Sequence, residues 1–171
     1  MEVRSVEAIV TALNGARVKY LIVGGLAVIA HGYERLTKDV DLVIALEPGN
    51  ISRGLRALLK IGYSISIPVT PEQFADSALR EKWRAEKQMV VLKLWSDEHR
   101  RTPIDVFIYE PFDFEEEYRK AVLHAVLPTE NAPILRYDAL LEMKRDAGRP
   151  QDLADVAALE KVQQLREGRE Q

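Results

Sequence analysis

The sequence has no cysteine. That absence excludes disulfides, a thiol nucleophile and thiolate-ligated zinc, and it fits a cytoplasmic protein. Long apolar runs are missing too. The longest nearly unbroken one, Tyr20 to Ala30, contains two glycines and is too short to span a bilayer, so no membrane partner is expected. Met1-Glu2-Val3-Arg4 is not a basic region leading into an apolar one, so no secretory signal is expected. Histidines are scarce, and His31, His99 and His124 lack metal-ligand spacing. There is no Gly-x-Ser-x-Gly element for serine hydrolase chemistry, no Gly-x-Gly-x-x-Gly fingerprint and no Lys-Ser/Thr ending of a P-loop. Positive charge is not in excess either. The formal net charge is −3, which argues against a dedicated nucleic-acid binder. One basic run, Arg80, Lys82, Arg84 and Lys87, is interrupted by Glu81 and Glu86 and reads as a solvated helix face. A second comprises Lys144, Arg145 and Arg149.

What is present describes a globular chain. Its 171 residues are 47% apolar and 30% charged, enough for one domain with a real core. Val6, Ile9, Val10 and Leu13 recur at helical spacing within Ser5 to Asn14, with Gly15 as a stop. Val18 to Val23 reads as a strand, Gly25 to about Gly32 as a short helix, and Asp39 to Leu46 as a second strand. After Pro48-Gly49, Asn50 or Ser52 can cap a helix running to Gly62. Tyr63 to Val69 is a candidate edge strand because of Pro68, and Pro71 to about Arg84 reads as one helix. Met89 to Trp95 and Pro103 to Tyr109 read as a hairpin. Trp83 and Trp95 read as core residues rather than base-stacking platforms. A helix opens in Glu110 to Glu117, and Ala121 to Leu127 is compatible with a strand or with a continuation of that helix. Two helices close the chain, Tyr137 to Ala147 and Pro150 to Leu165. The expected class is therefore α/β or α+β: a mixed sheet flanked by helices with a C-terminal helical pair. The expected organisation is one domain over 1–171, with a core to about 128 and a helical subdomain over about 129–171.

The chemistry concentrates in three carboxylates. Strand residues alternate sides, so Asp39 and Asp41 point one way while Val40, Leu42, Ile44 and Leu46 point the other. In Ile104-Asp105-Val106-Phe107-Ile108 the pattern repeats, with Asp105 opposite its apolar neighbours. Two like charges about 4 Å apart repel by ~1 kcal/mol in water and ~4 kcal/mol at an effective dielectric of 20. A divalent cation relieves that repulsion, and Mg²⁺, or Mn²⁺ in its place, suits oxygen ligands completed by water and substrate phosphates. Gly24-Gly25, just before, is either a tight strand-to-helix turn or a backbone that lets phosphates approach closely. Asp105 taken alone reads as a turn or cap residue. For the Asp39/Asp41 pair beside the glycines, metal binding is the preferred reading.

Gly24-Gly25-Leu26-Ala27, followed by Arg35-Leu36-Thr37-Lys38-Asp39-Val40-Asp41-Leu42, resembles the signature of the DNA polymerase β-like nucleotidyltransferase superfamily. More narrowly it is similar to the AbiEii-type (type IV toxin) group, as are Leu140-Leu141-Glu142-Met143-Lys144 and Gly148-Arg149-Pro150-Gln151-Asp152-Leu153-Ala154-Asp155. The resemblance covers about Val18 to Leu159 and implies a nucleotidyltransferase fold. It implies that Asp39, Asp41 and Asp105 bind metal, with Asp105 also placed to accept the attacking proton. Gly24 and Gly25 would hold nucleotide phosphates, Lys144 would neutralise one, and Arg35 and Thr37 would flank the pocket. Six residues of extended chain cover about 20 Å, so Arg35 approaches Asp41 only if the segment bends. Lys144 can equally snorkel from an amphipathic helix, and Asp152 and Asp155 read as structural rather than catalytic. The implied activity is transfer of a nucleoside monophosphate from a nucleoside triphosphate to an acceptor hydroxyl of RNA, protein or a small molecule. A cognate antitoxin would be a further partner. The alternative is a non-catalytic nucleotide sensor or antitoxin-like module of the same fold.

Overall fold

The structure is a computed structural model that describes residues 1–168. Helix α1 (Val3–Gly15) buries Val6, Ile9, Val10 and Leu13, the stripe its spacing demands. Strand β1 (Tyr20–Val23), buried at every position, runs into α2 (Gly24–Ala30), and β2 (Val40–Ile44) returns antiparallel to it. Then come α3 (Pro48–Lys60), the two-residue β3 (Ser64–Ile65), α4 (Pro71–Ala75) and α5 (Ser77–Lys87). The hairpin of β4 (Val91–Trp95) and β5 (Ile104–Phe107) follows, then α6 (Phe114–Arg119). A second hairpin, β6 (Val122–Leu127) with β7 (Glu130–Ile134), precedes α7 (Tyr137–Ala147) and α8 (Pro150–Glu167).

The seven strands of the described residues form one mixed sheet, in the order β3-β4-β5-β2-β1-β7-β6. The central pairing of β2 with β5 is parallel and sets Asp41 opposite Asp105. The expected mixed α/β architecture is what forms.

Several local expectations change, each for a physical reason. Strand β2 begins at Val40, whose N–H donates to Pro103 O at 3.0 Å as the first rung, so Asp39 stands just outside it. Asn50 lies within α3 instead of capping it. Its buried amide accepts from Lys19 N and donates to Lys19 O and Ala45 O, all within 3.0 Å. The helix expected over Pro71 to Arg84 breaks at Asp76, whose carboxylate accepts from Ala78 N and Leu79 N and starts α5. Trp83 packs against the core, but Trp95 is 48% exposed, on the outward side of β4.

Strand β7 has no counterpart in the expected elements, and the 128/129 boundary falls in the β6–β7 turn. Pro133 is the reason it was not legible. Leu135 N–H donates to Ile22 O of β1, and two residues earlier the equivalent donor is a proline. The ladder between β1 and β7 is accordingly a single register pair, Ile22 with Ile134.

Asn50 ties the start of α3 to both ends of the β1–β2 hairpin. Replacing it with Ala leaves Lys19 N and Ala45 O without that partner, Lys19 O keeping its bond from Ala45 N, and is expected to cost about 2–4 kcal/mol. Urea denaturation should show this as a lower midpoint with an unchanged slope.

Candidate active site

The cleft that collects the candidate residues has a volume of about 1010 Å³. Its floor is the β2–β5–β4 surface, and α7 and the start of α8 supply a wall. Asp39, Asp41, Asp105, Gly24, Gly25, Arg35, Thr37 and Lys144 all line it.

The glycine pair allows this convergence. Gly24 has φ +61°, and a Cβ there would overlap Asp41 Oδ2, so residue 24 must be glycine for the carboxylate to lie on the turn. A Cβ on Gly25 would overlap Thr37 Oγ1 and come within 2.8 Å of Arg35 Nη2. The 31–39 connection therefore bends back over the start of α2, which meets the condition for bringing Arg35 and Asp41 to one cleft.

The carboxylates feel one another. Burial, then Asp39, then Asp105 push the Asp41 carboxyl up to about 6, against the Gly25 N–H and the Lys144 charge, which act in the other direction. Asp105 is also raised, first by burial and further by Asp39, although Lys93 opposes the shift. Asp105 Oδ2 accepts from Lys93 Nζ at 3.1 Å, and its buried Oδ1 has no hydrogen-bond partner.

Among the described residues, no three His, Asp or Glu side chains stand together as a ready-made metal cage. The donor set nevertheless fits a hard divalent cation. Two carboxylates face each other across adjacent strands, one buried acceptor is unsatisfied, and a third negative charge lies near. Mg²⁺ is commonly held by one or two carboxylates, with substrate phosphates and water completing its shell.

Lys144 occupies a different position from a free phosphate ligand. It is 5% exposed, and its Nζ lies 3.0 Å from Asp152 Oδ1 and 2.6 Å from Asp155 Oδ2. Arg35 Nε lies 3.0 Å from Asp155 Oδ1, and Arg149 Nε lies 2.6 Å from Asp152 Oδ2. The result is an alternating chain, Arg35–Asp155–Lys144–Asp152–Arg149. Gly148, at φ +60°, ends α7, and Pro150 opens α8, so the sharp turn folds Asp152 and Asp155 back onto Lys144. Burial opposes ionisation of Asp152, but its bonds from Arg149 and Lys144 prevail and hold the carboxyl below its ordinary range.

One residue of the site was not singled out from the sequence, and another was marked only as part of a basic run. Lys93 stands opposite Asp105 in the β4–β5 register. Alternation within Val91-Leu92-Lys93-Leu94 placed it on the outward face, but only the register names its partner. Arg149, with a side chain 77% exposed at the cleft edge, is held in its charged form first by Asp152 and further by Asp41 and Asp39.

No protein-family signature matches the sequence, and no curated relative matches it. Solved structures do resemble it. The lincosamide antibiotic adenylyltransferase LnuA, in its lincomycin-bound form, superposes with a TM-score of 0.57 at 14% identity, covering 93% of this chain and 96% of that one. An antigenic nucleotidyltransferase-like protein from Paracoccidioides brasiliensis gives 0.53 at 16% identity, covering 94% of this chain and 76% of that one. The chain therefore has the nucleotidyltransferase fold.

Two predictions follow from the electrostatics. Because the folded-state value of Asp41 lies above its ordinary value, the native state holds a proton that the unfolded chain releases between about pH 4 and 6. Stability of the metal-free protein should fall as pH rises through that window, by on the order of 2 kcal/mol for a group partly open to the cleft. Asp41→Asn should reduce the fall, leaving the part that Asp105 contributes, and raise the metal-free melting temperature at pH 7.5, but not at pH 4. Thermal melts of both proteins against pH check this. Lys144→Ala leaves two buried carboxylates face to face and should destabilise the protein by about 3–5 kcal/mol in urea denaturation.

Proposed function

We propose that this protein is a divalent-metal-dependent nucleotidyltransferase. It would move a nucleoside monophosphate from a nucleoside triphosphate to an acceptor hydroxyl. The observation that carries the reading is the Asp41–Asp105 pair on adjacent parallel strands, pressed against a glycine turn that has no room for a side chain. The fold supports the same reading.

In the reaction, the acceptor oxygen attacks the α-phosphorus and forms a new P–O bond. The bond between the α-phosphorus and its bridging oxygen breaks, and pyrophosphate leaves with that electron pair. Asp39 and Asp41 would hold Mg²⁺ or Mn²⁺ together with the triphosphate, and Asp105 would share in that binding or take the hydroxyl proton. When bound, the cation offsets the negative charge of the phosphates and of the carboxylate cluster. The glycine turn, with Arg35 and Thr37 against it, shapes the phosphate side of the cleft. Arg149, held by Asp152 at the cleft edge, and Lys144, from its buried position, would contribute positive charge. Catalysis then consists of positioning and electrostatic stabilisation.

The narrower assignment to an AbiEii-type toxin, with an RNA acceptor, a cytoplasmic setting and a cognate antitoxin, is supported by the Arg35-to-Asp41 motif and the Lys144-to-Asp155 tail. A second reading is a nucleotide sensor of the same fold without turnover.

Label transfer separates the two readings. Protein with Mg²⁺ is given each α-phosphate-labelled nucleoside triphosphate together with total RNA, or with a panel of hydroxylated small molecules. Transfer that falls at least about a thousandfold in Asp41→Asn is the expected result. Nucleotide binding with no transfer to any acceptor would favour the sensor.

A further inference from the structure

The cleft floor changes character along one strand. At β5 and just beyond it, Ile104, Val106 and Ile108 are 0%, 1% and 2% exposed and face the core. Asp105, Phe107 and Tyr109 alternate with them and line the cleft. The register sets Val91 opposite Phe107, as it sets Lys93 opposite Asp105. Phe107 and Tyr109 meet edge to face with centroids 5.9 Å apart, and the Arg84 guanidinium stacks 3.9 Å from the Tyr109 ring centroid. Leu36, 95% exposed, also lines the cleft. A carboxylate that is a candidate proton acceptor thus opens directly onto an ordered aromatic shelf.

We propose that this shelf is the acceptor subsite and that it takes a small, uncharged, hydroxyl-bearing molecule with a flat aromatic or apolar face. The inference rests on the nucleotidyltransferase reading above. Strand rise places Phe107 about 7 Å along the chain from Asp105, and the Tyr109 ring lies 5.9 Å from that of Phe107. That is the length of a one- or two-ring molecule whose hydroxyl stands at Asp105. Apolar walls with a few convergent polar groups are how small-molecule sites are built.

The charges disfavour an RNA end. Nucleic-acid affinity comes largely from cations free to neutralise phosphates. Here Lys93 faces Asp105, Arg35 faces Asp155, Lys144 faces Asp152 and Asp155, and Arg149 faces Asp152. Lys38 is the one cleft-lining cation with no ion pair among the described residues. An RNA end would have to bind with almost none of the phosphate contacts it normally uses.

The test uses 4-methylumbelliferyl β-glucoside, a flat bicyclic ring bearing a hydroxylated sugar, followed by fluorescence polarisation in the presence of Mg²⁺. Binding of the four ribonucleoside triphosphates is measured in parallel by equilibrium dialysis. The probe should bind the native protein. Methyl β-glucoside and an RNA tetranucleotide should fail to compete. Phe107→Ala should weaken probe binding at least about tenfold and leave nucleotide binding intact. Phe107→Leu keeps apolar bulk in case the alanine variant unfolds, and it should give a smaller loss. Competition by the tetranucleotide, equal competition by methyl glucoside, or unchanged probe affinity in both variants would overturn the acceptor shelf while leaving nucleotide binding in place. Failure of the native protein to bind any nucleotide would instead overturn the transferase reading, and with it the acceptor role of the shelf, even if the probe still bound.

Discussion

The ammonium of Lys144, enclosed between Asp152 and Asp155, is the joint on which the cleft wall depends. It fastens α7 to α8, and through Asp155 and Arg35 it reaches the connection that carries Thr37 and Asp39. Buried ions separated from their partners cost several kcal/mol each, so the five-residue chain holds only as a unit. Three cations and two carboxylates leave it one positive charge in excess. That excess ends at Arg149, the exposed member, at the edge of an otherwise acidic cleft. The wall is thus buried in its interior and exposed at the Arg149 edge.

The opposite arrangement holds on the floor. Asp39, Asp41 and Asp105 repel one another, and burial adds to the strain on Asp41 and Asp105. Lys93 compensates one oxygen of Asp105 and leaves the other without a partner. In a purely structural cluster such an imbalance would be a defect, since replacing a carboxylate with an amide would relieve it. In a site that gathers a cation and phosphates, the same imbalance sets how strongly the cation is drawn in. The wall's charges are paired within the protein, and the floor awaits a partner from outside.

The sequence made much of the floor legible because strand alternation is a strict two-residue rule. Asp41 and Asp105 could be placed opposite their apolar neighbours from Val40-Asp41-Leu42 and Ile104-Asp105-Val106 alone. The glycine pair could be placed beside them, though its two roles were not separable until the Asp41 carboxylate was seen resting where a Cβ would be. The wall was far less legible. Lys144, Asp152 and Asp155 are close in sequence, yet their mutual pairing depends on the sharp reversal at Gly148-Arg149-Pro150. A lysine that binds phosphate or snorkels, and two aspartates with structural roles, were therefore expected separately where one ion-pair network joins them. Strand β7 was hidden by Pro133, and Lys93 by the absence of any local mark of its cross-strand partner.

The contrast between wall and floor also bears on whether turnover occurs. A sensor needs a site that discriminates nucleotide-bound from empty, and the Arg149 edge with the glycine turn would suffice for that. It has no need for a second carboxylate set opposite the first across a parallel pair, nor for an aromatic surface continuing from that carboxylate along the same strand. Asp105 destabilises the empty cleft, and Phe107 and Tyr109 leave apolar surface at its floor. Both features are costs to the empty protein, and both are accounted for by one event: an acceptor lying on the shelf with its hydroxyl at Asp105. The geometry beside the nucleotide is what would separate a transferase from a binding module, and Asp105, Phe107 and Tyr109 line the cleft together.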